Sequence, residues 1–534
     1  MLVLVVVGTI ASLSAVFIAL ESKKLFDSAQ YGRIDPLIRS GLVIIGIVLM
    51  QTIIQSIMTI YSAKITTSLS NSLRQKLFEK LSRTQWLDFT KFHTGDLLTR
   101  ITSDIEAVVN GVTSVIPEMI SMVFSICASI TVLIVFDPLL ALFAFILGPL
   151  SIVFMRLFSR KLSEYYLRIQ ETESESRSFI QECLKNMHII KTFGLEGQSS
   201  TFLTALQNKK LGWIIKRSRI SAVSSAALSL SYWLGFLLAI LWGSVQLSKG
   251  MITFGTITVY LQLVGQIQDP FIDLAHSVPQ VIIMYASVGR LISLYELNGE
   301  NFTDEILQWN SAGIRANELE FKYDRDIPVL NRASFEIKAR EFTAVVGASG
   351  EGKTTFIRLL LSLLKPTAGN LIFYNPDTGE SSPADVITRS LASYVPQGNT
   401  LFSGTIKENV MLGNKKATDG ELNEALKKAC ILDFIEGLPD KAETIIGENG
   451  YGLSEGQAQR ISIARALLTK KPVLILDEAT SALDAVTELE VLKSIASIEP
   501  TPTCIIITHR KAALGFCSRT LMIENGNIQT QDIS

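Results

Sequence analysis

The feature that most constrains this sequence is the concentration of apolar residues before about residue 290. Met1–Leu20 is nearly unbroken apolar chain, and each later stretch supplies the ~20 residues that cross ~30 Å of hydrocarbon. The later stretches fall at about 41–61, 115–136, 139–158, 222–247 and 252–275. We therefore predict six transmembrane helices. A secretory signal peptide is the alternative for Met1–Leu20, but this stretch has no basic n-region and no clear small-residue cleavage site.

The composition excludes several other classes of protein. Apolar residues make up 48% of the 534 residues and charged residues 19%, below the roughly 25% of a soluble domain. The net charge of −1 argues against a nucleic-acid partner. The five cysteines lie far apart without a CxxC pair, and the four histidines have no ligand spacing. A disulfide scaffold and a zinc ribbon are therefore not expected.

Charges in the loops orient the predicted helices. Basic residues cluster in 64–100 and 156–219, whereas two short turns offer only Asp137-Pro138 and Lys249. The positive-inside rule makes the long basic loops and both termini cytoplasmic. The first turn, with Lys23, Lys24, Arg33 and Arg39, opposes this pattern and is outweighed by the two long loops.

The long loops also carry helical periodicity, as in Leu73, Leu77 and Leu81. We therefore expect the helices to continue past the bilayer into the cytosol. A polar break begins at Asn298. It predicts a transmembrane domain over residues 1–297, including these helical extensions, and a second domain over 298–534.

The second domain contains a glycine-rich loop between a strand and a helix. Phe342–Val346 reads as a buried strand and 356–361 as an amphipathic helix, the context that a phosphate-binding loop requires. The loop comprises Gly347, Ala348, Ser349, Gly350, Glu351, Gly352, Lys353, Thr354 and Thr355. Its N–H groups can surround phosphates, Lys353 can neutralise their charge, and Thr354 can ligate Mg²⁺. The pattern predicts ATP and Mg²⁺ as cofactors; the alternative is a glycine turn with a surface lysine.

A second apolar strand, Val473–Leu476, ends in Asp477 and Glu478. Two carboxylates at the end of a buried strand are costly unless they meet a cation or water. Asp477 suits Mg²⁺ held through water, and Glu478 suits polarisation of the attacking water, because phosphoryl transfer depends on positioning and charge stabilisation. The alternative for either residue alone is a solvated loop cap.

Between these elements lies Leu453-Ser-Glu-Gly-Gln457, followed by a predicted helix. With this motif the chain resembles an ATP-binding cassette (ABC) exporter of the half-transporter type. The resemblance implies a membrane α-helical bundle followed by an α/β P-loop ATPase domain. It also implies that the signature motif, with Ser454, Gly456 and Gln457, completes the ATP site of a second subunit.

Other residues match further motifs of that family. The resemblance implies that Tyr323 stacks on adenine, that Gln397 senses Mg²⁺, and that Asp484 lies in a loop crossing the dimer interface. It implies that His509 contacts the γ-phosphate beside the catalytic Glu478. Glu448 matches a glutamate that faces the coupling loops of related exporters.

The chain departs from the family pattern at two points and resembles it in two further loop segments. Glu455 stands where the signature motif has glycine, and we expect it to point to solvent. The first span also begins at Met1, without the amphipathic lead-in helix common in relatives. The segment 86–100 resembles the first coupling segment, a short helix that rests on the nucleotide domain. Phe193–Glu196 resembles the lead into the second.

Polar residues inside the predicted spans indicate a substrate pathway, because charges are costly at mid-bilayer. One face of the sixth span and one face of the second carry such residues at helical spacing. They are Gln262, Gln266, Asp269 and Asp273, together with Gln51 and Gln55. The alternatives are hydrogen bonding between helices and a position at the cytosolic interface.

The sequence thus predicts an ATP-hydrolysing exporter that works as a dimer, with a homodimer favoured and a heterodimer possible. Its substrate is an unidentified drug, lipid or peptide, and its location is the inner membrane with a cytoplasmic nucleotide domain. The localisation is inferred because no organellar transit peptide precedes the first span. Two alternatives stay open: a membrane-anchored ATP-dependent regulator without transport, and an importer with the exporter fold.

Overall fold

The chain forms two compact units in a computed structural model that describes residues 2–302, 305–323, 327–447 and 452–532. The first unit contains Met1–Glu79 and Thr94–Glu296. The second contains Lys80–His93 and Leu297–Ser534. The segment 80–93, which the sequence placed in the transmembrane domain, packs with the second unit, and the division at residue 298 stays a prediction. Glu448 lies outside the described residues.

The first unit consists of six long helical segments. The helices of this part of the chain are α1 (Leu2–Gln30), α2 (Ile34–Ser82), α3 (Trp86–Thr90), α4 (Thr94–Thr99), α5 (Ile105–Asn110), α6 (Ile116–Phe136), α7 (Pro138–Lys185), α8 (Met187–Phe193), α9 (Glu196–Ser248) and α10 (Phe254–Tyr295). Two π-helical turns, Arg100–Asp104 and Gly111–Val115, join α4, α5 and α6 into one segment. The helices α2, α7 and α9 have 49, 48 and 53 residues, more than the ~20 that cross a bilayer. Their extension into the cytosol stays a prediction.

Over the residues that the structure describes, five of the six segments are long and apolar enough to cross a membrane. The fourth predicted span falls in α7, whose described apolar segment is the shorter Pro138–Pro149. Large apolar side chains along α2 are exposed, among them Leu42 and Ile60 at 63% and 74%. Such an exposed apolar surface suits contact with lipid.

Asp137 fixes the turn between α6 and α7. Its Oδ1 accepts hydrogen bonds from the backbone N–H groups of Leu139 and Leu140, at 3.0 and 3.1 Å. Its Oδ2 accepts from Nε1 of Trp242 at 2.6 Å. An aspartate N-cap followed by proline at the first helical position is a strong helix start, so α6 ends and α7 begins at this residue.

The second unit is an α/β domain built on three sheets. Its strands are β1 (Gly313–Lys322), β2 (Pro328–Ile337), β3 (Phe342–Val346), β4 (Ala368–Tyr374), β5 (Ser381–Pro383), β6 (Ala392–Val395), β7 (Gly404–Thr405), β8 (Ile445–Ile446), β9 (Val473–Asp477), β10 (Thr503–Ile507), β11 (Arg519–Glu524) and β12 (Asn527–Asp532). Its helices are α11 (Lys353–Leu360), α12 (Ile406–Met411), α13 (Asp419–Lys428), α14 (Leu432–Glu436), α15 (Glu455–Leu468), α16 (Ala485–Ala496) and α17 (Lys511–Leu514), with 3₁₀ turns at Val386–Leu391 and Lys441–Glu443.

The largest sheet has the strand order β12-β11-β3-β10-β9-β6. Its strands from β11 to β6 are parallel, and β12 pairs antiparallel at the edge. One apolar cluster packs this sheet against α11 and the antiparallel sheet β2-β1-β4-β5. A second cluster covers the opposite face with α12 to α17. Because the parallel strands share one direction, their carboxyl ends meet at one edge.

The short helix α3 belongs to this second unit. Trp86 packs against the cluster that contains α11, and the Arg358 guanidinium lies 5.9 Å from its ring centroid. The backbone N–H of Gln85 donates to the Asn298 carbonyl at 2.9 Å. The Asp88 carboxylate accepts from Lys91 and from the Asn298 side chain, and these bonds lower its pKa, the Lys91 bond most. The segment is therefore held by both ring packing and hydrogen bonds.

Candidate nucleotide-binding site

Four neighbouring strands deliver the predicted nucleotide residues to one sheet edge. The glycine-rich loop follows β3, His509 lies beyond the end of β10, Asp477 ends β9, and Gln397 lies beyond the end of β6. In the register of these strands Ile507 pairs with both Val345 and Asp477. The strand order thus brings together residues that are more than 150 positions apart in the sequence.

Two glycines shape the loop itself. Gly350 and Gly352 have φ angles of 91° and 101°, which residues with a Cβ rarely adopt. At Gly347 a Cβ atom would lie 2.5 Å from the carbonyl oxygen of Ile523. Ala348, Ser349 and Gly350 are exposed. The loop is therefore open to solvent where its N–H groups would meet phosphates.

Lys353 begins α11 and folds back over the loop. Its Nζ donates to the carbonyl oxygens of Gly347 and Ala348, at 2.6 and 2.9 Å. Glu351 holds the other side of the loop, because its Oε2 accepts from the backbone N–H of Asn525 at 2.6 Å. Thr354 is exposed, whereas Thr355 is buried. The ammonium of Lys353 therefore lies at the position from which it could neutralise a bound phosphate.

Asp477 lies half-buried at the end of β9. Its Oδ2 accepts from the hydroxyl of Tyr394 at 3.0 Å. Burial raises the pKa of the Asp477 carboxyl, and the adjacent Glu478 carboxylate acts in the same direction. Burial also raises the pKa of the Tyr394 hydroxyl, which keeps it a donor. A cation would lower the cost of ionising Asp477 at this position.

Glu478 has a left-handed backbone, with a φ angle of 48°. Its N–H donates to the Ile507 carbonyl at 3.1 Å, which ties it to the end of β10. Its Oε2 accepts from Nε2 of Gln397 at 2.6 Å. Strained backbone conformations of this kind concentrate at functional sites, where the surrounding bonds maintain them. The two predicted residues are thus in direct contact.

His509 is exposed beyond β10, and the next residue organises a neighbouring loop. Arg510 donates to the Leu483 and Ser481 carbonyls and lies 3.5 Å from Oε2 of Glu488, a carboxylate with no exposed surface. Asp484, in this loop, caps α16 by accepting from the N–H groups of Val486 and Thr487. Arg510 therefore fixes the loop of Asp484 relative to the strand that carries His509.

Tyr323 lies half-buried beside α11. Its ring meets Phe321 edge-on with 4.9 Å between centroids. Its hydroxyl is 3.1 Å from Oγ1 of Thr355. The ring thus lies next to the helix that follows the glycine-rich loop, where an adenine could stack on it.

The signature motif begins α15 at a different place in the unit. Ser454 is the N-cap, and its hydroxyl and the Gln457 side chain form a reciprocal capping box. A Cβ atom at Gly456 would lie 3.0 Å from the Ala482 carbonyl. The motif therefore borders the Asp484 loop, and the described contacts do not bring it to the glycine-rich loop. Glu455 is exposed at the first residue of α15, as the sequence predicted.

The predicted pathway residues differ in their surroundings. Nε2 of Gln266 donates to the Ala15 carbonyl at 3.1 Å, and its Oε1 accepts from Ser129 at 3.2 Å. Gln51 donates to the Ala11 carbonyl at 3.3 Å. The remaining pathway residues are Gln55, Asp269 and Asp273, which are exposed, and Gln262, which is half-buried. Gln266 and Gln51 therefore form bonds between helices.

Comparisons with known proteins identify the family of the chain. The family model of the ABC transporter transmembrane region matches residues 1–271, and the model described as ABC transporter matches residues 330–481. The ATP-dependent lipid A-core flippase of Syntrophus aciditrophicus is 31% identical over 459 residues, which cover 85% of this chain and 76% of that protein.

The chain belongs to the ABC transporter family. As a member of its exporter branch, it is a multi-pass membrane protein with an ATPase coupled to transport. The uncharacterized ABC transporter ATP-binding protein YfiB of Bacillus subtilis is 29% identical over 495 residues, with 91% of this chain and 85% of that protein covered. The solved structure of a bacterial Atm1-family ABC exporter with ATP bound has a TM-score of 0.84 at 23% identity and shares the fold over 99% of this chain and 94% of its own.

Three residues of this ABC transporter's site were missed by sequence reasoning. They are Tyr394, Glu488 and Arg510. Tyr394 and Arg510 each lie within three positions of a residue that the sequence had identified. Their roles depend on which strands are neighbours, so the motifs alone could not assign them.

Proposed function

We propose that this chain exports an amphiphilic substrate across the membrane as one half of a dimer, by ATP-driven alternating access. The observation that supports this most directly is the separation of two motifs within one chain. The residues at the strand ends lie at the same sheet edge as the glycine-rich loop, whereas the signature motif borders Ala482 through Gly456. A second chain could supply the signature motif to complete the nucleotide site, and a homodimer is the simplest arrangement.

In this proposal each group of predicted residues has a separate role in binding or hydrolysing ATP. The glycine-rich loop and Lys353 hold the phosphates, and Tyr323 stacks on the adenine. Glu478 orients the attacking water, and Gln397, in contact with Glu478 at 2.6 Å, positions that carboxylate. His509 contacts the γ-phosphate from the neighbouring strand. The signature motif, with Ser454, Gly456 and Gln457, contacts the nucleotide that the partner subunit binds. The Asp484 loop lies next to this motif.

The donor atoms near the loop fit Mg²⁺. Thr354, Gln397 and Asp477 offer hydroxyl, amide and carboxylate oxygens, and magnesium prefers oxygen ligands. The raised pKa of Asp477 fits the same role, because a nearby cation favours the ionised form of a buried carboxyl. When bound, the ion would neutralise phosphate charge during transfer.

The nucleotide domain is proposed to be cytoplasmic, in the inner membrane of a bacterial-type cell. This orientation rests on the basic residues of 64–100 and 156–219. Closure of two nucleotide domains would move the helical extensions as rigid bodies, the motion that alternating access requires. Direction of transport is proposed as outward.

The test is ATP-driven movement of substrate in sealed proteoliposomes, over a panel of drugs, lipids and peptides. We expect Glu478→Gln to reduce both hydrolysis and transport by about 100-fold or more. Glu436→Gln, an exposed carboxylate on α14, is the matched control and should retain both. Glu478-dependent hydrolysis without movement of any compound would favour a regulator and contradict the proposal.

A further inference from the structure

A cleft of about 740 Å³ lies within the first unit. Its lining comes from α1, from α2, from the segment 113–125 and from Pro270 of α10. Nine of the eighteen described lining residues are serine or threonine. Its volume falls in the range of small-molecule sites, roughly 300–1,000 Å³. Hydroxyl groups in this number inside an apolar bundle suggest that the cleft recognises a polar group.

Five of the nine described hydroxyl groups of the lining, including that of Ser12, use their hydrogens in bonds within the protein. Several donate within the protein, to a backbone carbonyl one turn earlier or to another hydroxyl. These bonds join Thr59 to Gln55 at 2.9 Å, Thr66 to Thr113 at 3.1 Å, Thr113 to Val109 at 2.8 Å and Ser121 to Pro117 at 2.9 Å. A hydroxyl has one donor hydrogen and two acceptor lone pairs. What these five groups still offer to a ligand is therefore acceptor oxygen.

Among the lining residues that the structure describes, Glu118 is the one charged side chain. It is exposed, and within the part of the chain that the structure describes no cation pairs with it. Neither lysine, arginine nor histidine is among the described lining residues, and Gln55 alone carries side-chain N–H donors. Ionisable residues in spanning segments are costly, and they commonly mark a pathway. The cleft thus combines acceptor oxygens with a single negative charge.

We propose that this cleft binds the head group of a cationic amphiphile, with a primary ammonium paired to Glu118. The proposal rests on the proposed transport function and names the substrate class. An ammonium has three donor hydrogens and no acceptor, which complements the hydroxyl oxygens of Thr59 and Ser121. The same cleft is also lined by Leu4, Met58 and Met122, which offer apolar contact to the alkyl tail of the amphiphile. A phosphate or sulfate head group would be repelled by the Glu118 carboxylate and would meet acceptor oxygens at the hydroxyl groups of Thr59 and Ser121.

The test uses the full-length protein in zwitterionic lipid nanodiscs and three probes with the same tail: dodecylammonium, dodecyltrimethylammonium and dodecyl phosphate. Equilibrium binding and stimulation of ATPase activity are measured for each. In the wild type we expect binding to weaken in that order. Glu118→Gln should weaken dodecylammonium binding about tenfold or more, the effect of losing one charged hydrogen bond. Glu118→Lys should reverse the preference towards dodecyl phosphate.

Two further variants keep the test independent of folding. Glu118→Asp should regain most of the dodecylammonium affinity, and Glu164→Gln, an exposed carboxylate on α7 outside the cleft, should bind as the wild type does. Equal binding of dodecylammonium by the wild type and Glu118→Gln would overturn the assignment, as would tighter binding of dodecyl phosphate by the wild type. If another compound is transported while dodecylammonium does not bind, only the cleft assignment fails. Dodecylammonium binding without any ATP-driven transport would instead overturn the transport function.

Discussion

At the scale of single residues, the surroundings of Asp477 and Asp484 shift the pKa values of these two carboxyl groups in opposite directions. Burial raises the pKa of Asp477 above its ordinary value of 3.8. Hydrogen bonds from the backbone N–H and hydroxyl of Thr487 lower the pKa of Asp484 below the same value. A raised folded pKa means that ionising the group destabilises the fold, and a lowered one means that it stabilises the fold. The two residues therefore predict opposite effects of neutralisation.

We expect Asp477→Asn to raise the thermal midpoint of the nucleotide-free, Mg²⁺-free protein near pH 7.5, because it removes an ionised, half-buried carboxylate. The gain should shrink as the pH falls through the folded pKa and disappear below 3.8. Asp484→Asn should instead lower the midpoint at neutral pH. That loss should vanish only below the depressed pKa of Asp484. Scanning calorimetry over pH checks both; changes of the same sign for the two variants would contradict this assignment.

The sequence predicted the residues that carry ATP chemistry but not those that hold them. The glycine-rich loop, Asp477, Glu478 and the signature serine are local patterns with a local physical reason. The bond from Tyr394 to Asp477 exists because β6 lies beside β9, and 77 residues separate Val395 at the end of β6 from Val473 at the start of β9. Glu118 was not predicted because it lies on the third span, whereas the polar faces that indicated a pathway lie on the second and sixth. The cleft brings together residues of α1, α2, α6 and α10 that are far apart in the sequence.

At the scale of elements, two contacts fix helices that are far apart in sequence. Asp104, 3% exposed, accepts from Nε and Nη2 of Arg290 at 2.8 and 2.5 Å and from Ser287 at 2.9 Å. This ties the π-helical turn before α5 to the end of α10. Trp86 fixes α3 to the second unit in a comparable way, by packing rather than by charge.

Removing Arg290 should lower the free energy of unfolding, because the buried Asp104 carboxylate loses its ion-pair partner. We expect Arg290→Ala to lower the stability of the first unit by about 1–3 kcal/mol, because Asp104 keeps a charge without its main donor. The half-exposed position of Arg290 keeps this loss below that of a fully buried pair. Asp104→Asn combined with Arg290→Ala should regain part of it. Thermal unfolding in one lipid composition measures the cycle, and additive losses would show that the two residues are not coupled.

Truncating Trp86 should release the segment 84–90. We expect Trp86→Ala to increase amide exchange at Gln85 by about tenfold or more, since removing a packed tryptophan costs more than 1.4 kcal/mol. The backbone N–H of Gln85 donates to the Asn298 carbonyl, so it is protected from exchange only while the segment packs against the second unit. Trp86→Phe keeps an apolar ring and should exchange close to the wild-type rate. Hydrogen exchange with mass spectrometry gives the result; equal rates in all three proteins would show that the ring does not hold the segment.

At the scale of the whole molecule, the account depends on a second copy. The glycine-rich loop and the signature motif occupy different places in one chain, so neither alone forms the proposed site. Ser454 is exposed, and a larger side chain there can be accommodated within the subunit while blocking a nucleotide held by the partner. Lys353→Ala removes the phosphate ligand of the other half-site. Each variant alone should therefore be inactive for a different reason.

The most direct test mixes the two variants. Lys353→Ala and Ser454→Arg are co-expressed with different tags, and the ATPase rate of the mixture in nanodiscs is compared with each variant alone and with the wild type. Random pairing makes half of the dimers mixed, with one intact composite site each, so we predict recovery of up to about a quarter of the wild-type rate. A mixture as inactive as either variant alone, although mixed dimers are isolated through both tags, would contradict the account.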